Sequence, residues 1–180
     1  MSAIFGAVRQ VEILMKLVAL LTFCVFAWSA ADADEAAQCQ AGRGAYLTGS
    51  VTRGPVFARG RHPLHGIELS HTHVTLLADQ DRQSYDVAVD NVFASGYDAA
   101  GESVPVPLSA IRVGDRVEVC GRPYTDPAGP GIDWVHTNCG ATPTTAKPNG
   151  WLKILAANGS PGPNLESYQK YCYLWHQQAR

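Results

Sequence analysis

The chain has no strong excess of either charge: 14 Lys and Arg stand against 16 Asp and Glu, for a net charge of −2. A binder that grips nucleic acid through its phosphates needs a basic surplus, so this balance argues against such a partner. No Cys-x-x-Cys pair, Gly-x-Ser-x-Gly elbow, glycine-rich phosphate loop, heptad array or internal repeat is present. Their absence removes the common zinc-ribbon, serine-hydrolase and nucleotide-binding signatures. The chain also lacks an apolar run of the roughly 20 residues that a membrane-spanning helix requires.

What it does have near its start is shorter. Leu17 to Trp28 is an uncharged, mostly apolar stretch preceded by Lys16 and followed by the small-residue sites Ser29-Ala30-Ala31 and Ala31-Asp32-Ala33. A basic end, an apolar middle and a small-residue exit make a secretory signal. Residues 1–33 are therefore expected to be removed. Met15-Lys16 is a second candidate start, and an uncleaved membrane anchor is the alternative reading. The mature product, residues 34–180, is expected to be a single domain in the periplasm or outside the cell, with no transmembrane segment after processing.

Beyond the apolar run four cysteines remain: Cys39, Cys120, Cys139 and Cys172. An even number in an exported chain predicts two disulfides. A hairpin folded about Gly129 and Pro130 would set Cys120 opposite Cys139, which predicts the pairs Cys120–Cys139 and Cys39–Cys172.

Period-two patterning dominates the mature chain. Strands are expected over Ala45–Phe57, Ile67–Ala78, Tyr85–Val89, through Val117, Val119 and Gly121 after a Val113-Gly114-Asp115 turn, over Ile132–Thr137 and over Trp151–Leu155. Residues 34–44 read as a loose leader. Asn164 is a candidate N-cap for a short C-terminal helix bearing Leu165, Tyr168, Cys172 and Trp175 on one face. The expected fold is mainly β: a small OB-like β-barrel with a short C-terminal helix and two disulfides, with a β-sandwich as the alternative.

The strings VGDRVEVCGRPY, GIDWVH and NGWLKI carry a resemblance. They are similar to a family of small exported bacterial proteins classed as a domain of unknown function. The matching positions are Gly114, Asp115, Gly131, Trp134, His136, Gly150, Trp151 and Lys153. Thr137-Asn138-Cys139-Gly140 departs from the family's usual histidine-containing stretch. A second uncharacterised bacterial family is more loosely similar around residues 71–91. The resemblance implies an OB-like fold and export, and it supplies no activity.

Two chemical readings follow. Before the second strand, Arg53, Arg59 and Arg61 fall in a stretch without acidic residues, and Tyr124, Trp134 and His136 could add flat surfaces. Cations beside aromatics suit an anionic ligand or another envelope component, which gives a non-enzymatic binding module needing no cofactor. The alternative uses His71 and His73, two apart on one strand face, with His136. Three imidazoles could hold zinc for metal-dependent hydrolysis, with Asp90 or Asp133 as an added carboxylate.

Overall fold

Strict inside–outside alternation sets the sheet. In β2 (His71–Ala78), Thr72, Val74, Leu76 and Ala78 are buried, while His71, His73, Thr75 and Leu77 are half-buried on the other face. With β1 (Ala45–Ala58), β3 (Ser84–Asp90), β4 (Arg116–Asp126), β5 (Gly129–Asp133) and β6 (Trp151–Ile154), it forms one six-stranded sheet. The order is β1-β2-β3-β5-β4-β6, with a further pairing of β1 to β4. This computed structural model describes residues 34–61 and 63–176. The expected export signal, residues 1–33, lies outside the described residues, as does His62. From Gln38 onward the chain forms one compact unit.

The ladder returns to its first strand because β1 is long enough to serve two neighbours. Its first half, Ala45–Ser50, pairs antiparallel with β4, and Gly49–Ala58 pairs antiparallel with β2. Gly49 and Ser50 belong to both ladders. Glycine is required there: a Cβ on Gly49 would lie 2.2 Å from the Leu77 carbonyl oxygen. Register shifts between Val51 and Arg53 and again before Val56 bend the strand between its partners, as bulges do. The ring is completed by a parallel pairing of β3 with β5, Asp86 opposite Gly131 and Val87 opposite Ile132. Inside it lie Val51, Val74, Leu76, Val87, Val89, Val117, Val119, Ile132 and Leu152. Burying this apolar surface is the main stabilising term.

Outside the ring sits a second cluster. A 3-10 turn at Asn91–Phe93 presents Val92 and Phe93 to Tyr171, Cys172 and Leu174 of the C-terminal segment. Asn91 holds this turn in place. Its side chain accepts from Thr72 Oγ1 at 2.6 Å and donates to Ser70 Oγ at 3.0 Å.

Four expectations need correcting. The disulfides are Cys39–Cys120 and Cys139–Cys172, not Cys120–Cys139 and Cys39–Cys172. The cause is the hairpin register. Asp126 pairs with Gly129, and Asp126 Oδ1 accepts from the amides of Ala128 and Gly129, so the turn is Pro127–Ala128. Pairing then stops at Arg122 opposite Asp133, and Cys120 lies between Tyr46 of β1 and Trp151 of β6. For the same reason β5 ends at Asp133 rather than Thr137: Trp134 takes a left-handed φ of 55° and leaves the ladder.

The extent of the C-terminal helix is the third. A short helix is present, but among the described residues after Asn164 it covers only Tyr173–His176. Asn164 Oδ1 instead accepts from the amides of Leu152 and Glu166. The backbone between is tied outward, with the Thr137 amide donating to the Glu166 carbonyl and the Tyr168 amide to that of Phe93. Last, residues 34–44 are not a loose leader: residues 38–41 are helical, and Cys39 is fully buried.

Peptide mapping without reduction should recover Cys39 linked to Cys120 and Cys139 linked to Cys172. The bridges span sequence separations of 81 and 33. On loop-closure entropy, replacing each pair by alanines should cost about 4.5 and about 3.7 kcal/mol respectively in urea unfolding.

Candidate functional site

The outward face of β2, β3, β5 and β4 collects most of the polar and aromatic residues singled out in the sequence. Alternation puts His71 and His73 on it, with ring centroids 6.4 Å apart. Cross-strand register sets Asp90 opposite His71, and Asp86 opposite Thr75 one step along from His73. His71 Nε2 lies 2.8 Å from Asp90 Oδ1. His73 Nδ1 donates to Asp86 Oδ2 at 2.8 Å, and the Tyr124 hydroxyl donates to the same oxygen at 2.6 Å. Arg122, two residues before Tyr124 and therefore on the same face of β4, forms a two-pronged pair with Asp133 at 2.8 and 2.6 Å. His71, Asp90, Arg122, Tyr124, Asp133 and Trp134 line a common groove of about 310 Å³.

Beyond β5 the chain dives under this face. His136 is 1% exposed. Its Nδ1 contacts the Thr137 carbonyl at 2.7 Å and its Nε2 lies 3.2 Å from Asp90 Oδ2. Both ring nitrogens therefore face oxygen atoms. Asp90 thus serves two imidazoles, one per oxygen. The left-handed Trp134 lets the chain make this descent, and Gly150 accommodates it. The Gly150 amide donates to the His136 carbonyl at 2.8 Å, and a Cβ there would lie 2.4 Å from the carbonyls of both Cys120 and Trp134.

His136 forms one wall of a smaller cavity of about 120 Å³ on the far side of Trp134. Phe93 stacks on His136 with centroids 3.7 Å apart and planes within 6°. Trp134 and Trp175 approach the imidazole at 4.8 and 6.5 Å. The guanidinium of Arg122 lies 5.7 Å from the Trp134 ring and Lys147 Nζ lies 6.0 Å from it, within cation–π range.

The carboxyl groups around the site divide by environment. Burial would raise Asp90, but the hydrogen bonds from His136 and His71 outweigh it and hold the carboxyl well below the ordinary range. The bond to Asp90 in turn raises His71 above its usual value despite the desolvation that opposes it. Asp86 is lowered because His73 and Tyr124 together overcome its burial, and burial with the bond to Asp86 pushes the Tyr124 phenol up. Glu166 is the contrast. It is fully buried, neither carboxyl oxygen has a hydrogen-bond partner among the described residues, and burial with the nearby Asp90 charge raises it well above the carboxylate range. Such a carboxyl is held neutral.

The arginines gathered by sequence are dispersed by the fold. Arg53 lies on β1 beside a different groove with Tyr85, Asp86 and Asp126. Arg59 is ion-paired to Glu102, and Arg61 is exposed on the loop before β2. His71, His73 and His136 are divided between the carboxylates of Asp90 and Asp86. Among the described residues no group of three or more His, Cys, Asp or Glu is placed to hold a metal. Sequence reasoning missed Arg122, although its alternation with Tyr124 was a usable signal. It also missed Phe93, Lys147 and Glu166, which lie in aperiodic segments. No family model and no curated protein matches the chain.

The titrations have opposing signs. The lowered Asp90 contributes stability above its unfolded value of 3.8, lost as acid reaches the folded value; the raised His71 contributes below 6.5, lost as pH rises through its folded value. The raised Glu166 costs stability as pH climbs above 4.5, because only the unfolded chain then ionises it freely. Thermal unfolding midpoints should therefore peak on the acid side of neutral and fall toward alkaline pH. Glu166→Gln should flatten that fall, and Asp90→Asn should lower the acid-side maximum.

Proposed function

We propose that the protein is an exported, non-enzymatic binding module of OB type, resident in the periplasm or outside the cell, that takes an anionic ligand or an anionic part of another envelope component. The strand order supports the barrel reading: a long bent first strand pairing with both β2 and β4, and a parallel β3–β5 pair. Proteins of this type bind across the middle strands and the loops beside them. The observation that carries the function is the convergence of His71, Arg122, Tyr124 and Trp134 on one groove over that face. Two disulfides support an oxidising address. No helix among the described residues is long and apolar enough to cross a membrane.

The histidines support binding over hydrolysis. His71 Nε2 and His136 Nε2 face Asp90 while His73 Nδ1 faces Asp86, so the three rings are divided between two carboxylates rather than gathered around one point. Within the proposed binding set, Arg122 lines the groove and Arg59 does not; both are ion-paired, Arg122 to Asp133 and Arg59 to Glu102. Arg61 remains as an exposed cation at the loop.

Titration calorimetry with polygalacturonate and with neutral dextran tests the reading. The anionic polymer should bind and dextran should not, with affinity falling as salt rises. Arg122→Gln and Tyr124→Ala should each weaken binding at least about fivefold, on the order of 1 kcal/mol. Unchanged affinity in both variants would overturn the groove as the site. Protein recovered from its native host should begin close to Asp34. Stoichiometric zinc retained through purification, together with hydrolytic activity, would replace this reading with the metal-hydrolase one.

A further inference from the structure

We infer that the cavity between Trp134 and Trp175 holds a single uronic acid ring, a six-membered sugar bearing a carboxylate, from an anionic glycan lying along the groove. This deepens the binding function proposed above and rests on it. Size comes first. At about 120 Å³ the cavity is of the order of the ~150 Å³ engineered cavity that admits benzene, so it takes one ring and not two.

The walls then decide the kind of ring. One side is aromatic, formed by Trp134, Trp175, Phe93 and the face of His136. The lining also carries hydrogen-bonding side chains: Asn138, Thr142 and Thr144. An aromatic carboxylate would stack on the aromatic side and leave these side chains unused. A pyranose offers an apolar C–H face to the indoles and hydroxyls to the threonines. Trp134 supplies the cavity with an indole surface, and both Arg122 and Lys147 approach that ring.

Charge selects the acid. No Asp or Glu lines the cavity, and Lys147 does. Lys147 Nζ stands 6.0 Å from the Trp134 ring and is in no ion pair among the described residues. Its neighbour across the indole, Arg122, is by contrast already spent on Asp133. The cavity thus has one uncompensated cation at its wall. The cavity lining carries no pair of carboxyl groups of the kind that glycoside cleavage uses, so the ring is held and not cleaved.

The test uses the full disulfide-bonded chain, with tryptophan fluorescence and calorimetry, and trigalacturonate, galactotriose and benzoate as probes. Trigalacturonate should shift the emission and bind at least tenfold more tightly than galactotriose or benzoate. Lys147→Glu, at an exposed position, should weaken trigalacturonate at least tenfold while leaving the unfolding midpoint unchanged. Trp175→Ala should do the same to affinity, and Thr144→Val by a smaller factor. Equal affinity for benzoate would overturn the sugar, and equal affinity for galactotriose would overturn the acid. If Arg122→Gln weakens trigalacturonate and Lys147→Glu does not, the groove binds glycan but the cavity does not, and this inference alone fails. If no acidic saccharide binds at all, it fails together with the function proposed above.

Discussion

Everything in this fold follows from one strand having two neighbours. β1 can close the ladder only where its backbone is hydrogen-bonded on both edges, at Gly49 and Ser50, and that crossing leaves no room for a side chain on Gly49. The bend that follows carries β1 from β4 to β2. It turns the alternating valines and leucines inward and leaves the opposite positions of β2, β3 and β4 for chemistry. The site is therefore a by-product of closure: His71, Asp90, Arg122 and Tyr124 are neighbours because the ring sets their strands side by side.

How much of this could be read from the chain divides along physical lines. Strands show in sequence because alternation is local, and β1 to β4 stand close to where Val, Thr and Leu alternate. The face bearing His71 and His73 was legible for the same reason. Register was not. The position of the Pro127–Ala128 turn depends on Asp126 capping two amides, and a shift of that turn was enough to misassign both disulfides. The left-handed Trp134 was invisible too, since a tryptophan carries no signal for that conformation. The C-terminal stripe had helical spacing, yet its amides and carbonyls are taken by Leu152, Thr137 and Phe93, so tertiary partners overrode local propensity.

The electrostatics of the site show a division of labour among carboxyl groups. Asp90, Asp86 and Asp133 are each matched to a histidine, a hydroxyl or an arginine, which fixes the side chains of this face in place. Glu166 is matched to nothing and is kept uncharged by burial. A protein does not retain such a group for stability. Its proximity to Asp90 gives the paired carboxylate an uncharged neighbour.

The bridge between Cys139 and Cys172 has a consequence for occupancy. Cys139 lies in the loop that lines the small cavity, and Cys172 sits three residues before Trp175, which closes its other side. The two jaws are thus covalently clamped, while the ring of strands needs neither of them. A chain that met a reductant would lose this clamp together with the Cys39–Cys120 bridge on β4, so the thiol state of the surroundings bears on the cavity's jaws and on the scaffold alike.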